Sequence, residues 1–150
     1  HGRPPAGPPQ GKASAPAGGS KRSERGGFMS VARGGLLGHW SVWTRAAVAL
    51  FERCRTEADK PSVTADLMAL DSQVTDCNSA LFDVAHDFAG CIAGCHEVLR
   101  RQGLLNGIWC LDPQEGLSPG QAEEITRVTH AYPHLMDHDF VQQNLERWLS

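Results

Sequence analysis

One glycine-punctuated apolar stretch, Phe88-Ala-Gly-Cys-Ile-Ala-Gly-Cys-His-Glu-Val-Leu-Arg-Arg-Gln-Gly103-Leu-Leu-Asn-Gly-Ile-Trp109, most constrains what this chain can fold into. The spacing of Phe88, Cys91, Ile92, Cys95, Val98 and Leu99 puts them on one face of a helix and predicts that this face is buried. Glu97, Arg100 and Arg101 fall off that face, and the two arginines sit in the last turn, where the helix dipole favours cations. Gly103 stands where a left-handed residue closes a helix, and Leu104 and Leu105 follow to fold back on the last turn. Gly90 and Gly94 flank the two cysteines, which suits close approach of a neighbouring helix. Asp87 is expected to cap the helix start.

The segments around it read as further helices. From Gly38 to Thr56, Trp40, Trp43, Ala47, Leu50, Phe51 and Cys54 follow helical spacing. Asp59-Lys60-Pro61 breaks the chain, and Ser62 is the expected cap of a helix over 62–83. That helix carries Val63, Leu67, Leu70, Val74, Cys77 and Leu81 at alternating steps of four and three, a heptad stripe. It serves either as one more bundle face or as a dimer seam. Ser118-Pro119-Gly120-Gln121 reads as a capping box with proline at the first helical position. Ala122, Ile125, Val128 and Tyr132 form the stripe of the helix that follows, and Pro133 stops it. A last helix spans about 139–149, with Phe140, Val141, Asn144, Leu145, Trp148 and Leu149 inward. The single expected strand is short, residues 28–32, and Gly34, Gly35 and Gly38 make a flexible loop after it. The fold class is therefore mainly α, a bundle of about five helices with one short strand.

Residues 1–27 hold no large apolar side chain and are rich in proline and glycine, which predicts a disordered tail. Their basic residues come without interleaved aromatics, so a solvated tail is a better account than a nucleic-acid-binding arm. Fourteen Lys and Arg against seventeen Asp and Glu leave a net charge of −3, so no global field draws in nucleic acid or an anionic membrane. No run of about 18 apolar residues suggests a membrane span. Five cysteines, an odd number with several on apolar helix faces, point to reduced thiols and a cytoplasmic setting. The chain opens on His1 rather than Met, and we read it as a fragment.

Several constellations invite a catalytic or ligand-binding reading. His39 and Trp40 suggest a pocket wall, but a helix-end histidine beside a core tryptophan explains them as well. His86-Asp87 lacks a nucleophile held by an oriented base, and adjacent residues point apart. Cys91, Cys95 and His96 lack the paired motif that completes a thiolate metal site. His130, His134 and His138 lie four apart, but Pro133 interrupts the helix that would align them. Glu123 and Glu124 are neighbours in a first turn and act there as dipole partners. These residues give no catalytic set, no metal site and no cofactor site. A phosphate loop is also absent, because the glycines after residue 33 lack the required spacing.

Taken in order, Gly26-Gly27-Phe28-Met29-Ser30-Val31, the long helices, Gly90-Cys91-Ile92-Ala93-Gly94, Val98-Leu99 to Gly103-Leu104-Leu105, and Leu117-Ser118-Pro119-Gly120-Gln121-Ala122-Glu123-Glu124-Ile125 resemble the C-terminal third of the dihydrodipicolinate synthase / N-acetylneuraminate lyase family. Gly107-Ile-Trp-Cys-Leu-Asp-Pro113 looks like a signature of one branch. The resemblance covers about residues 26–131. It implies the helices that follow the last strand of a (β/α)8 barrel. It also implies metal-free Schiff-base chemistry, in which a barrel lysine condenses with a small 2-oxo acid. The only lysines, Lys12, Lys21 and Lys60, do not match that lysine, and Tyr132 does not match the family's tyrosine. The expected function is thus a catalytically incomplete C-terminal segment of a lyase-type enzyme, residues 28–150, buttressing a barrel and a subunit interface of a homo-oligomer. The alternative is a freestanding helical module that dimerises through the 63–81 stripe.

Overall fold

A computed structural model describes residues 38–150. The expected tail at 1–27, the strand at 28–32 and the glycines at 34 and 35 lie outside the described residues. Those that are described form five α-helices and no strand: α1 (Thr44–Glu57), α2 (Ala65–Leu81), α3 (Cys91–Arg101), α4 (Gln121–Ala131) and α5 (His138–Leu149). Three 3-10 turns, Gly38–Ser41, Val84–His86 and Pro133–Leu135, join or precede them. No described helix is long and apolar enough to cross a membrane.

The core gathers around α2, which packs on α4, on α3 and on the Gly38–Ser41 turn. Leu81, Ile125, Val128 and Cys77 are fully buried, and Trp43, Val98 and Leu135 close the cluster. Complete burial of each aliphatic side chain contributes roughly 1.5–3 kcal/mol. Leu70, Val74, Cys77 and Leu81 of the heptad stripe thus serve the chain's own core, while Val63 at its start is exposed.

The expected helix over 38–56 divides in two. Gly38 takes a left-handed φ of 78° and opens a 3-10 turn, and α1 begins only at Thr44. No side chain of its own caps α1. Instead Asp137, from the segment before α5, accepts the backbone N–H groups of Arg45 (2.7 Å) and Ala46 (2.9 Å). A carboxylate at the positive end of the helix replaces the missing local cap. Ser62 is likewise not the cap of α2. The helix starts after Thr64, whose carbonyl accepts from Leu67 and Met68 N–H (both 3.1 Å).

The close of α3 follows the sequence expectation. Gly103 has φ 81°, its N–H donates to Arg100 O (3.0 Å), and Leu104 N–H donates to Leu99 O (2.9 Å), a Schellman motif. Its start and its buried face do not follow. The helix begins at Cys91, not at Phe88, and Asp87 is an exposed left-handed residue rather than a cap. The buried residues are Ala93, Gly94, Glu97 and Val98, so the helix is turned by part of a revolution from the apolar stripe. Glu97 enters the interior because Arg100 (2.7 and 2.9 Å) and Arg101 (2.7 Å) neutralise it on the same helix. On α5, Val141 is buried as expected, whereas Trp148 and Leu149 are exposed.

His39 is 4% exposed, with Nδ1 3.1 Å from Asn78 Oδ1 and its ring against Trp43. Burial pushes its pKa below the ordinary 6.5, and the Asn78 hydrogen bond offsets this only in part. The unfolded chain therefore binds this proton first as pH falls through 6.5, and stability declines with acidification from that point. Urea unfolding followed between pH 7.5 and 5 should show this slope in the native chain and a flatter profile in His39→Asn.

Candidate functional site

The residues with the least ordinary conformations lie where α2 ends. Asp83 (φ 57°), Asp87 (φ 52°) and Phe88 (φ 66°) are the non-glycine residues with positive φ among those described. Asp tolerates this region better than most side chains because its short carboxylate can hydrogen-bond nearby. Asp83 does so from the interior, at 3% exposure. One carboxylate oxygen accepts from Ser118 Oγ–H (2.5 Å) and from Gly90 N–H (2.9 Å). The other accepts from His86 Nδ1 (2.6 Å). Burial alone would raise its pKa, but hydrogen bonds from Ser118, His86 and Gly90 outweigh it, and the carboxyl is held below its ordinary value.

Gln121 completes this corner. Its Nε2 donates to Gly90 O (2.9 Å) and Leu81 O (3.3 Å), and its Oε1 accepts from Ser118 N–H (3.1 Å). Asp83, Ser118 and Gln121 together therefore tie the end of α2 to the starts of α3 and α4. The expected capping box is half realised. Gln121 does bond Ser118 N–H, but the Ser118 hydroxyl turns to Asp83, and α4 begins at Gln121 after a left-handed Gly120 (φ 84°). Two glycines make room for this contact. A Cβ on Gly90 would lie 2.0 Å from Gln121 Oε1, and one on Gly94 would lie 2.1 Å from Leu81 O.

The corner holds a serine, an aspartate and a histidine, but in an order that activates nothing. In a hydrolytic triad the histidine stands between nucleophile and carboxylate. Here Asp83 stands between Ser118 and His86, and the serine hydroxyl donates its proton to the carboxylate. The arrangement is a clasp. A shallow groove of about 580 Å³ runs beside it, lined by Asp76, Asp83, His86, Glu123, Glu124 and Arg127. Its charges are largely paired, since Arg127 bonds Asp76 (2.8 and 2.9 Å) and Glu124 (2.9 Å).

The other candidates fall elsewhere. Cys95 Sγ lies 3.8 Å from Ser41 Oγ, and burial raises the pKa of both Cys91 and Cys95, away from the thiolate form. His130, His134 and His138 do meet despite Pro133, along a second groove of about 780 Å³ that Arg45 and Asp137 also line. His134 Nε2 is engaged with Gln73 Oε1 at 2.8 Å. No group of three or more His, Cys, Asp or Glu among the described residues is arranged to hold a metal. Lys60 is exposed and bonds Glu57 (2.6 Å), and Tyr132 donates its hydroxyl to Asp76 (2.9 Å). Asp83 and Gln121 carry no sequence signal of such a role beyond an Asp closing a helix that lacks a terminal glycine and a Gln three residues after a serine.

Comparison with protein-family models, with curated proteins and with solved structures finds no match for this chain.

Proposed function

We propose that residues 28–150 are a helical scaffold segment of a Schiff-base lyase or synthase that acts on 2-oxo acids, similar to the C-terminal helices of the dihydrodipicolinate synthase family. In this reading the segment buttresses the barrel and carries no part of the covalent chemistry. One observation supports it most. The two motifs with the strongest resemblance, Gly90-Cys-Ile-Ala-Gly94 and Leu117 to Ile125, are the two that interlock through Gln121, Ser118 and the glycines. A Schiff base needs a desolvated amine. Lys60 is exposed and ion-paired, which fits a supporting role.

Borohydride trapping tests the reading. Incubation of this chain with pyruvate and borohydride should leave its mass unchanged. The same treatment of the gene product extended upstream should reduce the imine to a stable secondary amine on one lysine. An upstream reading frame without a barrel lysine, or a pyruvate adduct on this chain, overturns the proposal. Dimerisation through α2 draws less support, because most of the stripe it needs packs inside the chain.

A further inference from the structure

We infer that the outward face of α3 is the docking site of this chain's own residues 28–37. This inference stands independently of the lyase-like reading. The sequence gives α3 an apolar stripe, yet the helix turns Ala93, Gly94, Glu97 and Val98 inward and leaves Phe88 58% and Ile92 47% exposed. Cys91 and Cys95 on the same face are half-buried. Phe88 is held out by a left-handed backbone, which a bulky side chain rarely adopts and which surrounding structure must enforce. An aromatic fixed outward at such a conformational cost is suited to contact with another surface.

The position at which the described chain begins identifies the occupant. Gly38 opens the turn that ends at Ser41, and Ser41 Oγ lies 3.8 Å from Cys95 Sγ, so the chain enters beside the stripe. The ten residues before it, Phe-Met-Ser-Val-Ala-Arg-Gly-Gly-Leu-Leu, contain the first large aliphatic and aromatic side chains of the sequence. Extended, ten residues reach about 33 Å. Phe88 to Cys95 spans only about 10 Å of helix axis. Three or four residues of the segment therefore cover the stripe, and Gly34-Gly35 supplies a bend between it and Gly38.

Cross-linking in the full chain tests this. With Val31→Cys and a short bismaleimide, the introduced thiol should link within one molecule to Cys91 or Cys95, with a yield that is unchanged on dilution. Linkage to Cys54 alone, or to several cysteines without preference, overturns the inference. A yield that falls with dilution also overturns it, and assigns the face to a second copy. Alkylation gives an independent readout. Phe28→Asp with Val31→Asp should speed Cys91 modification by about tenfold, because a local cover is lost. Exposed Cys54 should react as before. Fully buried Cys77 should stay unmodified, which reports that the fold persists. An unchanged Cys91 rate overturns the inference, and if Cys77 becomes reactive the cross-link alone decides.

Discussion

Gly94→Ala is expected to destabilise the chain by about 3 kcal/mol, from overpacking and the loss of buried hydrogen bonds. Considered as a helix substitution it should do the opposite, since alanine is better than glycine in a helix interior by roughly 1 kcal/mol. Packing reverses the sign. The new methyl would lie 2.1 Å from the Leu81 carbonyl oxygen and 2.6 Å from Gln121 Nε2. Leu81 O is backbone and cannot swing aside, so α3 must move off the end of α2 and the Gln121 bonds to Leu81 and Gly90 stretch. Gly116→Ala is the control. No atom lies within 4 Å of a Cβ placed there, and its effect should stay within about 0.5 kcal/mol. Urea unfolding monitored by circular dichroism separates the two. A Gly94→Ala protein as stable as the native chain would mean that α3 does not pack on α2 as described.

Asp83→Ala should cost a similar amount, about 3–4 kcal/mol, by a different route. It strands Gly90 N–H and the Ser118 hydroxyl without their acceptor, and it places alanine at a left-handed φ of 57°. Asp83→Asn keeps the shape, one acceptor oxygen and tolerance of the backbone, so it should lose roughly half as much. The pair also differ in pH dependence. The folded carboxyl of Asp83 is held below its ordinary pKa of 3.8. Its ionised form therefore stabilises the fold above that value, and the contribution disappears as pH falls through the lower folded pKa. Glu97 adds in the same sense, because hydrogen bonds from Arg100 and Arg101 lower its pKa. Asp83→Asn should accordingly show a shallower loss of stability below about pH 4 than the native chain. Equal acid profiles would remove Asp83 from the account of the clasp.

Where the sequence was read correctly, the signal was local. The Gly103 stop works because a left-handed residue and two following leucines are all the motif requires, and each is within five positions of the others. Pro133 ended α4 for an equally local reason, its missing N–H. Gly90 and Gly94 were legible as sites of close approach, although not what approaches them. The misreadings came where a distant partner outcompeted a nearby one. Ser118 was expected to cap α4, but a buried carboxylate 35 positions away is the stronger acceptor for its hydroxyl. Asp87 was expected to cap α3, but Asp83 holds Gly90 N–H instead, and no periodicity announces a carboxylate that turns inward.

The sequence by itself determined that this chain is mainly helical, roughly where its helices lie, and that α3 must be closely packed. Periodicity, glycine placement and proline breaks act over one or two turns, and those distances are visible in a string of residues. Tertiary structure alone decided which side of α3 faces inward, that Asp137 caps α1 from 92 residues away, and that Asp83 and Gln121 tie three helix ends together. Each of those outcomes is settled by satisfying a buried polar group, and the partner that satisfies it is chosen by proximity in space rather than along the chain.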